Sequence, residues 1–303
     1  AGGIEWMDKR NRLCETGFSF EYSATFGQAM KASGKKNMLQ QYAKCILFDY
    51  SYKYFYRDGY GKEYSILNLA EDRHEAQKQL YLTACLLSFY QQLLIFNENE
   101  RAFSPFLLEE PLWIFVGSRV KAVREEQGSK VSDVVDILLF LDGFLRNSQE
   151  SIEYIERLLT RTSQLNDTEG HDLFARKFSY LISKGMSAKD FYIDIRKLVF
   201  NSATTEAQMH LDNLKGAQGE IGLRLGDNEY FGVINVGDDR ELLNLCELNG
   251  LIASSKDFSG SLFHKLSEKN SPVKILIGSK KFTEGWNSWR VSTMGLMNVG
   301  KTE

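Results

Sequence analysis

Three short stretches of this chain join small residues to a cation: Gly117-Ser118-Arg119, Ser254-Ser255-Lys256 and Gly278-Ser279-Lys280, the last extended by Lys281. Free backbone amides and a serine hydroxyl approach a phosphate oxygen closely, and lysine or arginine supplies the opposing charge, so this combination suits phosphate contacts. A fourth stretch, "GLMNVGKTE" at 295–303, fits G-x-x-x-x-G-K-[ST], the loop that cradles nucleotide phosphates. That loop works only when a strand feeds it and a helix starts after it, because the helix supplies the free N–H groups and the dipole. The sequence stops one residue past Thr302. The tail is therefore expected to be a strand end and a polar connecting loop. No Asp is followed by Glu anywhere in the chain, so the acidic box that usually accompanies a phosphate loop is not found either.

The elements that must carry these stretches are strands. "PLWIFVG" at 111–117 is a short apolar run opened by Pro and closed by Gly, as suits a buried parallel strand. "LIASS" reads as a second short strand, and "VKILIGS" at 273–279 as another buried one. "SDVVDILLFLDGFL" at 132–145 predicts a largely apolar helix with Ser132 as its N-cap. "EIGLRLGDNEYFGVINV" at 220–236 alternates around Gly226-Asp227-Asn228 and predicts a hairpin. "DRELLNLCELNG" predicts a helix stopped by Gly250, and "GSLFHKL" a short helix. Strands alternating with helices imply a parallel α/β sheet, in which working residues leave the carboxyl ends of the strands.

Three zones follow. Residues 1–62 are rich in aromatics and glycine and read as strand and loop, with a tyrosine ladder in "LFDYSYKYFYRDGYGKEY" at 47–64. Such rings can stack on nucleobases, and the more economical reading is that they pack. Residues 66–214 read as mostly helical, beginning with 70–96 and continuing at 148–161, 171–183 and 187–200, with 111–117 as the one interrupting strand. The helices of about 145–214 form a charged, amphipathic insertion. Residues 219–303 return to strands and helices.

Composition bounds the function. With 43% hydrophobic and 13% aromatic residues the chain has the means to bury a sizeable core. Lys and Arg total 37 against 40 for Asp and Glu, so a net charge of −3 provides no global attraction to nucleic acid, and a polyanion site must be local. Cys14, Cys45, Cys85 and Cys246 lie far apart, without a C-x-x-C pair, and read as reduced, buried thiols. His74, His171, His210 and His264 have no ligand spacing, so no metal site is expected. With no signal peptide and no long apolar run, the expectation is a cytoplasmic protein away from membranes.

"FEYSATF", "PLWIFVG", "YFGVINVG" and above all "ILIGSKKFTEGWNSWRVSTMGLMNVG" resemble the restriction (Res) subunits of type III restriction enzymes and the related superfamily 2 DEAD/DEAH-box helicases. The resemblance runs from about residue 18 to the C-terminus, thinly through the helical insertion. It implies a RecA-like parallel sheet with a large helical insertion, residues 1–62 being the end of a first lobe and 63–303 most of a second. Ser23, Ala24 and Thr25 would be motif III, which couples ATP hydrolysis to movement on DNA. The strand 111–117 with Ser118 resembles motif IV. Lys280 to Arg290 resembles motif V, whose Glu284, Gly285, Trp286 and Asn287 would face the DNA backbone and the ATP cleft; Asn287 stands where many relatives have Asp. The family's phosphate loop, Asp-Glu box and arginine-bearing motif VI are not in this sequence, and its nuclease triplet, an acidic residue with Lys two places on, is not either.

The resemblance thus implies part of an ATP-dependent DNA translocase, with ATP and Mg2+ held by the complete protein. Duplex DNA, the remainder of the motor and a methyltransferase (Mod-type) subunit would be its partners. Gly117, Ser118, Arg119, Ser254, Ser255, Lys256, Ser279, Lys280, Lys281 and Arg290 are the expected phosphate contacts. Two alternatives stay open: a non-catalytic DNA- or protein-binding fragment, and a true phosphate-loop enzyme using "GLMNVGKT". Ser23 and Thr25 also read as ordinary strand-end residues, Lys280, Lys281 and Arg290 as solvated charges, and Trp286 and Trp289 as core anchors.

Overall fold

The structure is a computed structural model that describes residues 6–23, 26, 40, 42–61, 63–67, 75–117, 124–126, 129–167, 169–257, 260–279 and 288–297. The chain divides into two units, Ala1–Ile66 and Leu67–Glu303.

The first unit contains helix α1 (Trp6–Leu13) and the short helix α2 (Tyr52–Arg57), and none of its described residues lies in a strand. This departs from the strand-and-loop expectation. In "YKYFYR" the aromatic residues favour extended backbone by propensity, but rings four apart on a helix also meet, and Tyr52 lies 6.2 Å from Tyr56 between centroids. None of the residues of α2 is buried.

The second unit is a mixed α/β domain built on a seven-stranded sheet. Its strands are β1 (Leu112–Gly117), β4 (Met209–Leu214), β5 (Glu220–Leu225), β6 (Gly232–Asn235), β7 (Ile252–Lys256), β8 (Ile275–Ser279) and β9 (Val291–Met297), in the order β7-β4-β5-β6-β8-β1-β9. A separate hairpin joins β2 (Arg124–Glu126) to β3 (Ser129–Val131). β5 pairs antiparallel with both its neighbours; every other pairing in the large sheet is parallel. The sheet is thus mostly parallel, and β5 runs against it because the chain turns tightly on either side, at 215–219 and 226–231.

The helices of this unit are α3 (Glu75–Glu98), α4 (Glu100–Phe103), α5 (Asp133–Arg146), α6 (Ser148–Leu159), α7 (Ser179–Ser183), α8 (Ala188–Leu198) and α9 (Asp239–Leu248). α5 starts where its sequence directs: the Ser132 hydroxyl accepts from the Val135 N–H at 3.4 Å. α8 carries a full capping box between Ser187 and Asp190. α9 ends in a Schellman motif, in which the Gly250 N–H donates to Glu247 and the Leu251 N–H to Cys246. Gly250 sits there at φ +80°, a conformation that glycine adopts without strain. Of residues 171–183, expected to be a helix, Asp172 forms a β-bridge with Asn166, 173–178 form turns, and only Ser179–Ser183 is helical.

Alternating strand positions build two cores. Trp113, Phe115, Met209, Leu211, Ile221, Leu223, Leu225, Ile275 and Ile277 join residues of α3, α5, α6, α8 and α9 in the larger one. Leu112, Ile114, Val116, Val233 and Leu276 face the other way and are covered by Leu266 and Val273 from the 260–274 segment. Among the described residues, α-helices therefore cover one face of the sheet, and the other is covered by the 260–274 segment with its short 3-10 helix His264–Ser267. α3 is long and apolar enough to cross a membrane by length and composition alone, yet half of its most apolar window is buried. Its Leu86, Leu87, Phe89, Tyr90 and Leu93 are fully enclosed in the larger core. Met209–Leu214, placed by its sequence at the end of a helical zone, is instead a strand, with Met209 and Leu211 inward.

Candidate nucleic-acid interface at the strand ends

The carboxyl ends of six strands lie along one edge of the sheet. One rung runs through all seven strands: Ser255, Asn213, Ile221, Ile234, Ile277, Phe115 and Gly295. Beyond it β1 ends at Gly117, which pairs with Ser279 of β8 on one side and Met297 of β9 on the other. β1 is thus flanked by the two strands that come last in the sequence. In open parallel sheets ligands bind beyond the carboxyl ends of the strands.

Gly117 and Ser279, read from sequence as two separate exits, are register partners. Ser118, Arg119, Lys280, Lys281, Glu284, Gly285, Trp286 and Asn287 lie outside the described residues, as do Ala24, Thr25 and the 298–303 tail. Ser23 is described, on exposed irregular backbone of the first unit. The third exit, Ser254-Ser255-Lys256, closes the edge strand β7, four strand spacings from β8. At about 4.8 Å per spacing that is about 19 Å away, so it shares the edge of the sheet and stands apart from Gly117 and Ser279.

Arg290, expected among the phosphate contacts, is 4% exposed and sits before β9, at the opposite end of the sheet. Its guanidinium donates to the carbonyls of Glu110 at 3.0 Å, Leu266 at 2.6 Å and Val273 at 2.8 Å. The Glu110 carboxylate lies 3.5 Å from it and also pairs with Lys274. Burial pushes both cations' pKa values down and Glu110 counters it. Arg290 therefore ties three loops together under the sheet. Trp289 beside it, expected to be a core anchor, is 73% exposed, whereas Trp113 is buried in the core.

A polar cluster escaped the sequence reading. On the sheet face away from the α-helices, the fully buried Asp212 of β4 accepts from Arg224 Nε of β5 at 2.6 Å, from the Tyr230 hydroxyl at 2.9 Å and from the Ser254 hydroxyl of β7. Burial pushes the Asp212 carboxyl up, and the hydrogen bonds from Arg224, Ser254 and Tyr230 outweigh it, holding the carboxyl below its usual range. Tyr230 is pushed up to about 12 by its own burial and by donating to Asp212. Its ring lies across β5 over Gly222, where a Cβ would fall 2.5 Å from it. An open cleft of about 350 Å³ adjoins the cluster, lined by Arg224, Asp227, Asn228, Glu229, Tyr230 and Lys256 among others. The available signal was Asp212 and Arg224, opposite charges placed inside the otherwise largely apolar strands "MHLDNL" and "EIGLRL". This places Ser254 in a role that its sequence did not suggest, as a donor to a buried carboxylate.

Among the described residues no group of three or more His, Cys, Asp or Glu is arranged to hold a metal ion. The four cysteines are free thiols; Cys246 is buried, whereas Cys45 is exposed, against the expectation that all are buried. Burial pushes the Cys246 thiol up to about 12, which makes it inert at neutral pH. Comparison with protein-family models, with curated proteins and with solved structures finds no match to this chain.

Proposed function

We propose that this chain is part of an ATP-dependent DNA translocase of the type III restriction kind, with a RecA-like second lobe that grips the phosphate backbone of duplex DNA. The observation that carries this reading is the pairing of Gly117 with Ser279 at the carboxyl ends of β1 and β8, with β9 on the far side of β1. Small residues at two adjacent strand ends allow a phosphate oxygen close to backbone amides, and Arg119, Lys280 and Lys281 follow directly in the sequence. Backbone contacts of this kind hold DNA without reading its sequence, as movement along it requires. The burial of Arg290 leaves that charge to the other three cations.

ATP and Mg2+ would be bound by the complete motor, in the cytoplasm, with the remaining lobe and a Mod-type methyltransferase as partners. Hydrogen exchange on the full chain, with and without duplex DNA, tests the site. Protection on DNA binding is expected in 117–119 and 279–281 and not in Ile252–Lys256. Protection confined to Ile252–Lys256, or spread evenly, contradicts the assignment.

A further inference from the structure

The first unit presents an aromatic face that the translocase reading leaves without a role. Among the described residues the buried core begins at Leu80, whereas Phe48, Tyr50, Tyr52, Phe55, Tyr60 and Tyr64 are each exposed, Phe48 to 80% and Tyr60 to 71%. They form one continuous surface. Centroid distances are 5.9 Å for Phe48–Tyr50, 6.2 Å for Tyr50–Phe55, 6.4 Å for Tyr52–Phe55, 5.6 Å for Phe55–Tyr60 and 5.9 Å for Tyr52–Tyr64. The expectation that this ladder packs holds only ring against ring.

We propose that this face, residues 46–64, is an isologous interface that pairs two copies of this chain. The first argument is area. A large aromatic side chain buries about 150–250 Å², so six rings at these exposures, with the exposed Ile46 and Leu47, offer about 800 Å² per copy. That is the contribution each partner makes to a stable interface of ordinary size, and more than a monomer usually leaves in one apolar patch. The second is composition, since tyrosine and phenylalanine enrich the centres of such interfaces.

The third argument is charge, and it selects the partner. Lys53, Arg57 and Lys62 are matched in this stretch by Asp49, Asp58 and Glu63; Arg57 lies 3.5 Å from Asp58, which also accepts from the Tyr50 hydroxyl at 2.9 Å. A nucleic acid requires an excess of cations, which this face lacks. Two-fold pairing instead requires a surface complementary to itself, which three charges of each sign within 46–64 allow.

Sedimentation velocity of the full chain over a wide dilution series tests this. A reversible monomer–dimer equilibrium is expected, little weakened by salt because apolar contact drives it. Phe48→Ser with Tyr60→Ser should weaken it at least about tenfold, or about 1.4 kcal/mol, with the circular dichroism of the sheet domain unchanged. Leu248→Ser, an exposed leucine on α9, should leave the equilibrium as it is. A monomer at every concentration, open-ended aggregation, a dimer indifferent to the double variant, or association that appears only with added nucleic acid would each overturn the proposal.

Discussion

Asp212 concentrates the most consequential residue-level chemistry in the described structure. It is a fully buried carboxylate whose charge is met by one arginine and two hydroxyls. Removing one member of a buried ion pair leaves the other uncompensated. Asp212→Asn, which keeps the shape, should therefore lower unfolding stability by about 3 kcal/mol in urea titration. The same group sets an acid limb. Its folded-state pKa lies below the unfolded value, so its contribution is complete above the usual carboxylate range of about 4 and is lost as pH falls through the folded pKa. Urea midpoints on both sides of that range should fall with pH in the native chain and fall less in Asp212→Asn. Gly222 is the second sensitive residue. A methyl there meets the Tyr230 ring at 2.5 Å, so Gly222→Ala should destabilise by about 1–3 kcal/mol and loosen the hydroxyl's hold on Asp212.

Among the elements, those legible in the sequence were those whose local signals and tertiary surroundings agree. β1 and β8 read as buried strands because both their faces are covered, so apolar residues run without alternation. The start of α5 and the end of α9 were visible in Ser132 and Gly250, since a cap is a local bond. Ser132→Ala should cost about 1 kcal/mol of stability, read as a lowered thermal midpoint. β4 was illegible for the converse reason. "MHLDNL" is short, follows a run of helices, and owes its strand state to pairing with β5 and β7. α2 was missed because rings that favour strands also pair along a helix turn. Arg290 and Trp289 exchanged their expected environments, since neither type of side chain tells from sequence whether a nearby loop will offer it carbonyls or leave it to solvent. β9 depends on a glycine for close packing: a Cβ at Gly295 would fall 2.6 Å from the Phe115 ring. Gly295→Ala should detach β9 before the rest of the sheet, seen as faster amide exchange confined to Val291–Met297.

At the scale of the whole molecule, the order of the strands determines which sequence signals can act together. Three strand exits with similar residues looked equivalent in one dimension. In the sheet, Gly117 and Ser279 are neighbours, and Ser254-Ser255-Lys256 stands apart at the other edge. No local pattern carries that distinction, because register between β1 and β8 joins residues separated by most of the domain's length. The terminal "GLMNVGKTE" overlaps β9 through Met297, so the start of the phosphate-loop signature lies in an edge strand packed on β1. Lys301→Ala should accordingly leave any ATP turnover of the chain unchanged, measured with and without duplex DNA.

The measurement closest to the central claim is the salt dependence of duplex DNA affinity for the full chain and for Lys280→Ala with Lys281→Ala. A phosphate grip beside Gly117 and Ser279 requires log K to fall linearly with log salt, equally for unrelated sequences, with a slope reduced by about 2 in the double variant. Affinity that ignores salt, or a slope that the two substitutions leave unchanged, would contradict the claim that this end of the sheet holds DNA.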